Sequence, residues 1–319
     1  MSLTIFLLLG LILLFFGGEL LVRGSVSLAL KMKISTLVVG MTIMSFATSS
    51  PELFVSLQAV LDESSNIAFG NVIGSNIANI TLVLGITAMI FRVKISKQTL
   101  RLNYPIMLAA SIVLGGVLYL FKGIPVGVGV LFVVLLLIFS WLLILTSRKD
   151  HLKSATEENE LLKKASHDSV IKNILFLATG IFLLKYGADF LVDSTKGIAK
   201  NFGVSDRVIA VSIVAVGTSI PELVTSIIAA FKKEDNLAVG NLIGSNIFNI
   251  LAVLGITASI KEINIVDDAI YSFDYFWMIT ITFIVGLLIY VFSKNQISRK
   301  EGVLLLIIYI GYLLSLFNK

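Results

Sequence analysis

Long apolar stretches recur along the whole chain, separated by short polar segments. Each runs for about 17 to 25 residues, which lets a helix cross a hydrocarbon core about 30 Å thick. Transmembrane strands would show short alternating segments instead, and these runs are continuous. The pattern therefore predicts an all-α membrane protein with about ten transmembrane helices, near residues 3–30, 36–61, 66–91, 103–121, 124–146, 172–198, 206–231, 236–260, 272–293 and 302–318.

Composition agrees with a lipid environment. Hydrophobic residues make up 57% of the chain and charged residues 14%, against about 25% charged in an ordinary soluble domain. The net charge of +5 arises from basic loops between spans, which are ordinary topology signals and not a nucleic-acid surface. The first apolar stretch lacks a signal peptide's basic start and cleavage site, so we expect it to be retained. We expect the lipid bilayer as partner, no nucleic acid and no obligatory protein partner.

The chain repeats itself. Residues 11–90 align without a gap with residues 181–260, and about 34 of these 80 positions are identical. The match is densest where GNVIGSNIANITLVLGITAMI at 70–90 meets GNLIGSNIFNILAVLGITASI at 240–260. We therefore predict a first five-helix repeat, a cytoplasmic linker and a second five-helix repeat, at 1–146, 147–171 and 172–319.

An odd number of spans in each half would bring the second half into the membrane from the opposite side. The result is two inverted-topology repeats, an architecture typical of transporters. Loop charges test the orientation, and about 17 Lys and Arg residues fall on the side of the linker against about 6 on the other. We expect a multi-pass protein of the cell membrane with its central loop cytoplasmic and both termini outside.

Two glutamates lie in the middle of predicted spans, where a charged side chain is costly and marks function. Glu52 stands in ATSSPELFVS and Glu222 in the matching GTSIPELVTS. Helical spacing predicts that each glutamate shares its face with residues three, four and seven positions earlier. These are Ser45, Thr48 and Ser49 in the first half and Ala215, Thr218 and Ser219 in the second.

Prolines within these spans predict free backbone oxygens. Pro51 and Pro221 cannot donate to the carbonyls of Ala47 and Gly217, so the helices should bend there. Free carbonyls at membrane depth are tolerated where they line a cavity or find another partner. Beside a carboxylate they would favour a hard cation such as Ca²⁺ or Na⁺.

A second polar stripe repeats in the GNxIGSNIxN segments, where Ser75 and Asn79 correspond to Ser245 and Asn249. Paired glycines in the same segments are explained by close helix packing. Because polar stripes duplicated beside buried acids exceed what packing requires, we expect these four side chains to bind ions as well. Two carboxylates can balance one Ca²⁺ or two Na⁺, so the two ions would compete for one cavity.

Together these motifs resemble the paired alpha-repeats of the sodium/calcium exchanger branch of the calcium/cation antiporter superfamily, prokaryotic type. The resemblance implies a cation cavity midway through the membrane, with Glu52 and Glu222 as shared ligands. It further implies that the long first and sixth spans slide to switch access. The remaining ligands it implies are the carbonyls of Thr48 and Thr218, the hydroxyls of Ser49, Ser75, Ser219 and Ser245, and the backbone at Ser45 and Ala215 beside monovalent sites.

Two positions depart from the family's pattern. Asn249 stands where the exchangers most often studied carry Asp, which removes one potential charge and affects ion coupling and pH dependence. Ala47 stands where the family usually has Gly. Neither change removes a central ligand.

The sequence therefore predicts a secondary active antiporter that exchanges Ca²⁺ for Na⁺ by alternating access, with no cofactor and no catalytic residues. The nearest alternative is exchange of Ca²⁺, or another divalent cation, for H⁺, which Asn249 makes harder to dismiss. A passive cation channel is less favoured because of the inverted repeats. A membrane enzyme is the weakest hypothesis, since the sequence carries no HExxH motif or nucleotide-binding loop.

Overall fold

The computed structural model describes residues 3–153, 169–201, 217–265, 269–292 and 295–317. These residues are almost entirely helical, as the apolar pattern predicts. We label the helices α1 (Leu3–Met32), α2 (Thr36–Thr48), α3 (Ser50–Leu61), α4 (Ser65–Ile90), α5 (Thr99–Phe121), α6 (Val126–Lys153), α7 (Val170–Asn201), α8 (Ile220–Phe231), α9 (Asp235–Ile260), α10 (Ile270–Phe292) and α11 (Arg299–Phe317).

Seven helices of the described residues are long and apolar enough to cross a membrane: α1, α4, α5, α6, α7, α9 and α10. The bent pair of α2 and α3 makes an eighth. Large apolar side chains such as Phe54, Leu120 and Trp141 are exposed, as expected for surfaces that contact lipid. The predicted fold of apolar helices long enough to span a membrane is thus confirmed, while the count of ten spans stays a prediction.

The span predicted at 36–61 is broken in its middle. α2 and α3 meet at an angle of 44° around Ser49, because Pro51 has no N–H for the carbonyl of Ala47. That carbonyl accepts a hydrogen bond from the Ser50 hydroxyl at 2.7 Å, so it is not the free oxygen that the sequence suggested. The equivalent residue of the second half, Ile220, has no hydroxyl to make the same bond.

π-helical turns interrupt several helices, and two of them begin at the predicted ion-binding asparagines. One runs from Asn79 to Val83 within α4, and one from Asn249 to Leu254 within α9. A π turn inserts a residue into the helical repeat and is often found at functional sites. The two repeats thus carry the same irregularity at the same residue.

Short strands, which the sequence did not predict, join the two halves. β1 (Val93–Lys94) pairs antiparallel with β4 (Gln296–Ile297), and β2 (Gly123–Ile124) pairs antiparallel with β3 (Ile263–Asn264). β3 begins 170 residues after β1, which is the spacing of the sequence repeat. Each half therefore contributes one strand to each of two equivalent pairs.

Two tyrosines make a second reciprocal contact. The Tyr104 hydroxyl donates to the carbonyl of Thr282 at 2.7 Å, and the Tyr275 hydroxyl donates to the carbonyl of Ser111 at 3.2 Å. Tyr104 and Tyr275 occupy equivalent places at the start of the straight parts of α5 and α10. Each half thus anchors a tyrosine on a helix of the other half.

Glycines make room for these two tyrosine rings. A Cβ atom at Gly115 would overlap the Tyr275 ring, and a Cβ atom at Gly286 would overlap the Tyr104 ring. Side-chain atoms essentially never approach so closely, so only glycine fits at both positions. The tyrosine of one half and the glycine of the other form a matched pair, and the pair occurs twice.

The long helices α1 and α7 also meet through glycines. A Cβ atom at Gly10 would lie 2.9 Å from the Gly187 carbonyl oxygen, and one at Gly17 would lie 3.1 Å from that of Gly180. The order of the contacts is reversed along the two helices, so α1 and α7 run antiparallel. Small residues let membrane helices approach backbone to backbone.

Candidate cation site

Buried polar side chains of both halves lie on, or directly before, helices α2, α3, α4, α8 and α9. Each of them is at most 3% exposed. We call this group the central cluster: Thr48, Ser49, Glu52, Ser75, Asn79, Ser219, Glu222, Asn241, Ser245 and Asn249. Nine of these ten residues are candidates from the sequence, and Asn241 is the addition.

The two glutamates occupy equivalent positions in the cluster. Glu52 lies in the first turn of α3 and Glu222 in the first turn of α8, each directly after its proline. A helix N-terminus favours a carboxylate, and the two carboxyl groups are close enough to interact electrostatically. Within the described residues, both oxygens of Glu52 and Oε2 of Glu222 accept no hydrogen bond. The pair therefore presents acceptor oxygens that the surrounding side chains do not use.

Hydroxyl groups of the first half reach the acid of the second. The Ser49 hydroxyl donates to Oε1 of Glu222 at 3.5 Å. Thr48 Oγ1 lies 3.3 Å from the Ser245 hydroxyl and 3.2 Å from Oδ1 of Asn241. The structure thus brings together side chains that lie 173 to 197 residues apart in sequence.

The Ser75 hydroxyl lies beside the Glu52 carboxyl group, although at a geometry that makes no hydrogen bond. The Ser219 hydroxyl likewise has no partner in the described part of the chain. Both are buried oxygens of the kind that a cation can use.

A set of supporting side chains holds the helix ends that carry the glutamates. Asn71 Nδ2 donates to the carbonyl of Glu52 at 3.1 Å, and the Thr225 hydroxyl donates to the carbonyl of Glu222 at 3.1 Å. Asn241 Nδ2 in turn donates to the Thr225 hydroxyl at 3.2 Å. The sequence showed Asn71 and Asn241 as duplicated positions, but spacing alone could not tell a supporting residue from a ligand.

The two asparagines that begin the π turns differ in their surroundings. Asn249 Nδ2 donates to Oδ1 of Asn76 at 3.1 Å. The amide group of Asn79 makes no hydrogen bond within the described residues and borders a cavity of about 30 Å³ together with Asn246. Sequence reasoning did not single out Asn76 or Asn246, and the only signal was the duplicated GSN triplet.

Three other candidates lie at the margin or outside the described residues. The Ser45 hydroxyl sits between the carbonyls of Gly40 at 2.7 Å and Asn241 at 3.0 Å. Thr218 is half-buried and lines a separate cavity of about 270 Å³ that also borders Pro51 and the exposed Asp189. Ala215 lies outside the residues that the structure describes.

The donor set is made of carboxylate, hydroxyl and amide oxygens, which are the ligands of hard cations. Across the described residues, no group of three or more His, Cys, Asp and Glu side chains comes together. The central cluster therefore differs from the His and Cys ligand sets of zinc sites.

Comparison with known proteins decides the family. The family model described as sodium/calcium exchanger protein matches residues 2–145 and 172–318. The chain belongs to the sodium/calcium exchanger family. The resemblance inferred from the motifs is thereby confirmed, and the chain is a membrane-embedded antiporter of the Ca²⁺/cation kind, in a family of transporters and not of enzymes.

Similar exchangers cover nearly the whole chain. The putative antiporter CaxA of Alkalimonas amylolytica is 35% identical over 99% of this chain and 98% of its own length. The sodium/calcium exchanger MaX1 of Methanosarcina acetivorans is 31% identical over 98% and 97%. A solved structure of the sodium-calcium exchanger NCX_Mj, soaked with 10 mM Na⁺ and zero Ca²⁺, superposes with a TM-score of 0.82 at 30% identity and covers 98% of each chain.

Proposed function

We propose that this exchanger moves Ca²⁺ against Na⁺ by alternating access, with Glu52 and Glu222 as shared ligands. One observation carries the proposal: carboxylates of both halves are buried in one cluster, and Ser49 of the first half donates to Glu222 of the second at 3.5 Å. Buried acids without a basic partner are expensive in a membrane and mark ion pathways. The names of the relatives MaX1 and NCX_Mj as sodium/calcium exchangers support the same pair of ions.

Charge balance explains why the two ions would exclude one another. Two carboxylates match the charge of one Ca²⁺ or of two Na⁺, and Ca²⁺ takes about six to eight oxygen ligands. The further ligands we propose are the carbonyls of Thr48 and Thr218, the hydroxyls of Ser49, Ser75, Ser219 and Ser245, the amide oxygens of Asn79 and Asn249, and the backbone at Ser45 and Ala215. Competition for one cavity, combined with alternating access, gives antiport.

We also propose ten spans in two inverted repeats, at 1–146 and 172–319, joined by the linker 147–171. The strand pairs and the tyrosine contacts, each of which occurs twice with the halves exchanged, support this arrangement. The excess of basic residues on one side favours a cytoplasmic linker and outer termini.

The glycine contacts between α1 and α7 support a sliding step. At Gly10, Gly17, Gly180 and Gly187 the two backbones meet directly, so these positions place no side chain in the way of a shift of one helix along the other. The cavity of about 270 Å³ between Asp189 and Pro51 is a candidate entrance beside the moving helix α7.

The test is uptake of ⁴⁵Ca²⁺ into Na⁺-loaded proteoliposomes diluted into Na⁺-free buffer. Uptake should need internal Na⁺, and Glu52→Gln or Glu222→Gln should lower it at least about a hundredfold, because disrupting a buried charged site costs about 3–5 kcal/mol. Glu63→Gln is the matched control, since this acid is 87% exposed, lies 3.7 Å from Lys261 and does not belong to the central cluster. Normal uptake by both central variants would refute the ligand assignment.

Exchange of Ca²⁺ for H⁺ is the second candidate function. Asn249 makes it harder to dismiss, because a neutral amide in place of an aspartate removes one potential negative charge for Na⁺. An outward or inward proton gradient, imposed on Na⁺-free vesicles, distinguishes the two. Uptake that follows the proton gradient alone would favour H⁺ coupling, whereas flux indifferent to both gradients would contradict antiport.

A further inference from the structure

We propose that Asn76 is a positioning residue that fixes the side-chain amide of Asn249, so that its oxygen and not its nitrogen is presented to the cation. The inference rests on the proposed function, in which Asn249 is a ligand. Asn76 is 1% exposed and Asn249 is fully buried. They belong to different halves of the chain, so the contact also crosses between the halves.

The orientation of Asn76 follows from its neighbours. Its Nδ2 lies 3.4 Å from the backbone carbonyl of Asn246 and 3.7 Å from the sulfur of Met278. A carbonyl oxygen can only accept a hydrogen bond, and a thioether sulfur is at most a weak acceptor. The NH₂ group of Asn76 must therefore face these two atoms, which turns its Oδ1 the other way.

The orientation of Asn249 follows from that of Asn76. Because Oδ1 of Asn76 can only accept, Asn249 must offer its NH₂ group, and Nδ2 lies 3.1 Å away. The oxygen of Asn249 then points away from Asn76, and it is buried without a hydrogen bond among the described residues. An amide without such a bond can flip and turn its NH₂ group toward a cation. The hydrogen bond to Asn76, which we call the tether, therefore keeps the oxygen of Asn249 available as the ligand.

The equivalent tether is missing in the other half. Asn79 corresponds to Asn249 and Asn246 corresponds to Asn76, yet Nδ2 of Asn246 donates to the carbonyl of Leu242 within its own helix at 2.8 Å. Asn79 has no hydrogen bond in the described part of the chain. Only one of the two candidate amide ligands is therefore held in a fixed orientation, and Asn246 provides a matched control.

The first experiment replaces Asn76 with Leu, which is similar in volume and forms no hydrogen bond. Binding of ⁴⁵Ca²⁺ to the purified full-length protein, alone and in competition with Na⁺, gives the apparent affinities of both ions. We expect Asn76→Leu to weaken the affinity for at least one ion about three- to tenfold, as expected for loss of one buried hydrogen bond. Asn246→Leu, which leaves the backbone carbonyl in place, should change neither affinity more than about twofold.

A double-mutant cycle then asks whether Asn76 acts through Asn249. Asn249→Ala alone should weaken the same affinity, and adding Asn76→Leu to it should cause little further loss. Fully additive losses would overturn the proposal, since a residue that merely packs would act independently. If Asn249→Ala changes neither affinity, both the ligand role of Asn249 and this proposal fail. An unchanged affinity in Asn76→Leu, with a clear loss in Asn249→Ala, refutes the positioning role alone.

A third variant separates orientation from packing. In its protonated form Asn76→Asp keeps an acceptor for Nδ2 of Asn249 and an O–H donor for the carbonyl of Asn246, so affinity should stay within about twofold of that of the unchanged protein. Equal losses in Asn76→Asp and Asn76→Leu would contradict the proposal. Size-exclusion profiles and thermal unfolding in detergent identify any variant that has lost its fold, and the Asp variant still decides if the Leu variant does not fold.

Discussion

The strand pairs and the tyrosine contacts between the halves, which we call the outer contacts, each occur twice, whereas the contacts of the central cluster do not. β1 pairs with β4 as β3 pairs with β2, and Tyr104 and Tyr275 each reach across to the other half. In the centre, Ser49 donates to Glu222, while the Ser219 hydroxyl has no partner within the described residues. The outer contacts fix how the halves fit, and the asymmetry is concentrated where the cation would be held.

The asymmetry of the central cluster is expected for a protein that works by alternating access. An exchanger opens its site to one side of the membrane at a time, so equivalent residues of two repeats cannot all be in equivalent environments in one conformation. Contacts that stay reciprocal are those that need not change during the cycle. Mutations can test this division, and the largest losses of stability are expected in the outer contacts.

The largest loss of stability should come from substitutions that fill the spaces around the tyrosine rings. Gly115→Ala and Gly286→Ala should each destabilise the protein by about 1–3 kcal/mol, because the new methyl group overlaps a buried tyrosine ring. Thermal unfolding in detergent measures the loss. Gly116→Ala is the control, since nothing lies within 4 Å of a Cβ atom there. Markedly unequal losses at Gly115 and Gly286 would show that the two contacts are not equivalent in energy.

A smaller and unequal effect is expected for the two cluster serines. Ser49→Ala removes both a proposed ligand and a donor to Glu222, whereas Ser219→Ala removes a hydroxyl without a protein partner. The apparent Ca²⁺ affinity should therefore fall about fivefold further in Ser49→Ala, the worth of about one hydrogen bond. Dose-response curves of ⁴⁵Ca²⁺ uptake measure it. Identical curves for the two variants would argue that the asymmetry has no part in binding.

Removing the tyrosine hydroxyls tests whether the two outer contacts are equal in energy. Tyr104→Phe and Tyr275→Phe each remove one buried hydrogen bond to a backbone carbonyl and should cost about 1 kcal/mol of stability. The two losses should agree within error, and the Ca²⁺ affinity should not change. A selective effect on affinity would place one tyrosine in the ion pathway instead, and uptake assays with both variants would reveal it.

The smallest effect concerns the helix break. Ser50→Ala removes the donor to the carbonyl of Ala47, a bond made by the half-buried Ser50, and should cost about 0.5–1 kcal/mol of stability. Thermal unfolding in detergent measures the loss, with Ser50→Thr, which keeps the hydroxyl donor, as the control. An unchanged midpoint in Ser50→Ala would show that this hydrogen bond does not stabilise the break.

The sequence predicted the parts of this structure that follow from pattern along the chain. The spans follow from hydropathy, and the duplication follows from alignment of the two halves. Glu52 and Glu222 stand out because a charged side chain is costly in the middle of a membrane span. The partner of the Ala47 carbonyl escaped prediction because Ser50 serves as a local donor only in the bent conformation. The tether on Asn249 escaped because it depends on which neighbour faces Asn76, and that neighbour lies about 170 residues away.

The tyrosine and glycine pairs have a consequence for the ancestry of the chain. A half that carries both a ring and the matching gap is complementary to a second copy of itself, as in an isologous two-fold dimer. Two separate copies of such a half would close the same two contacts that α5 and α10 now close within one polypeptide. Fusion then adds a linker to an interface that was already complete, and it frees the two copies to diverge at their centre.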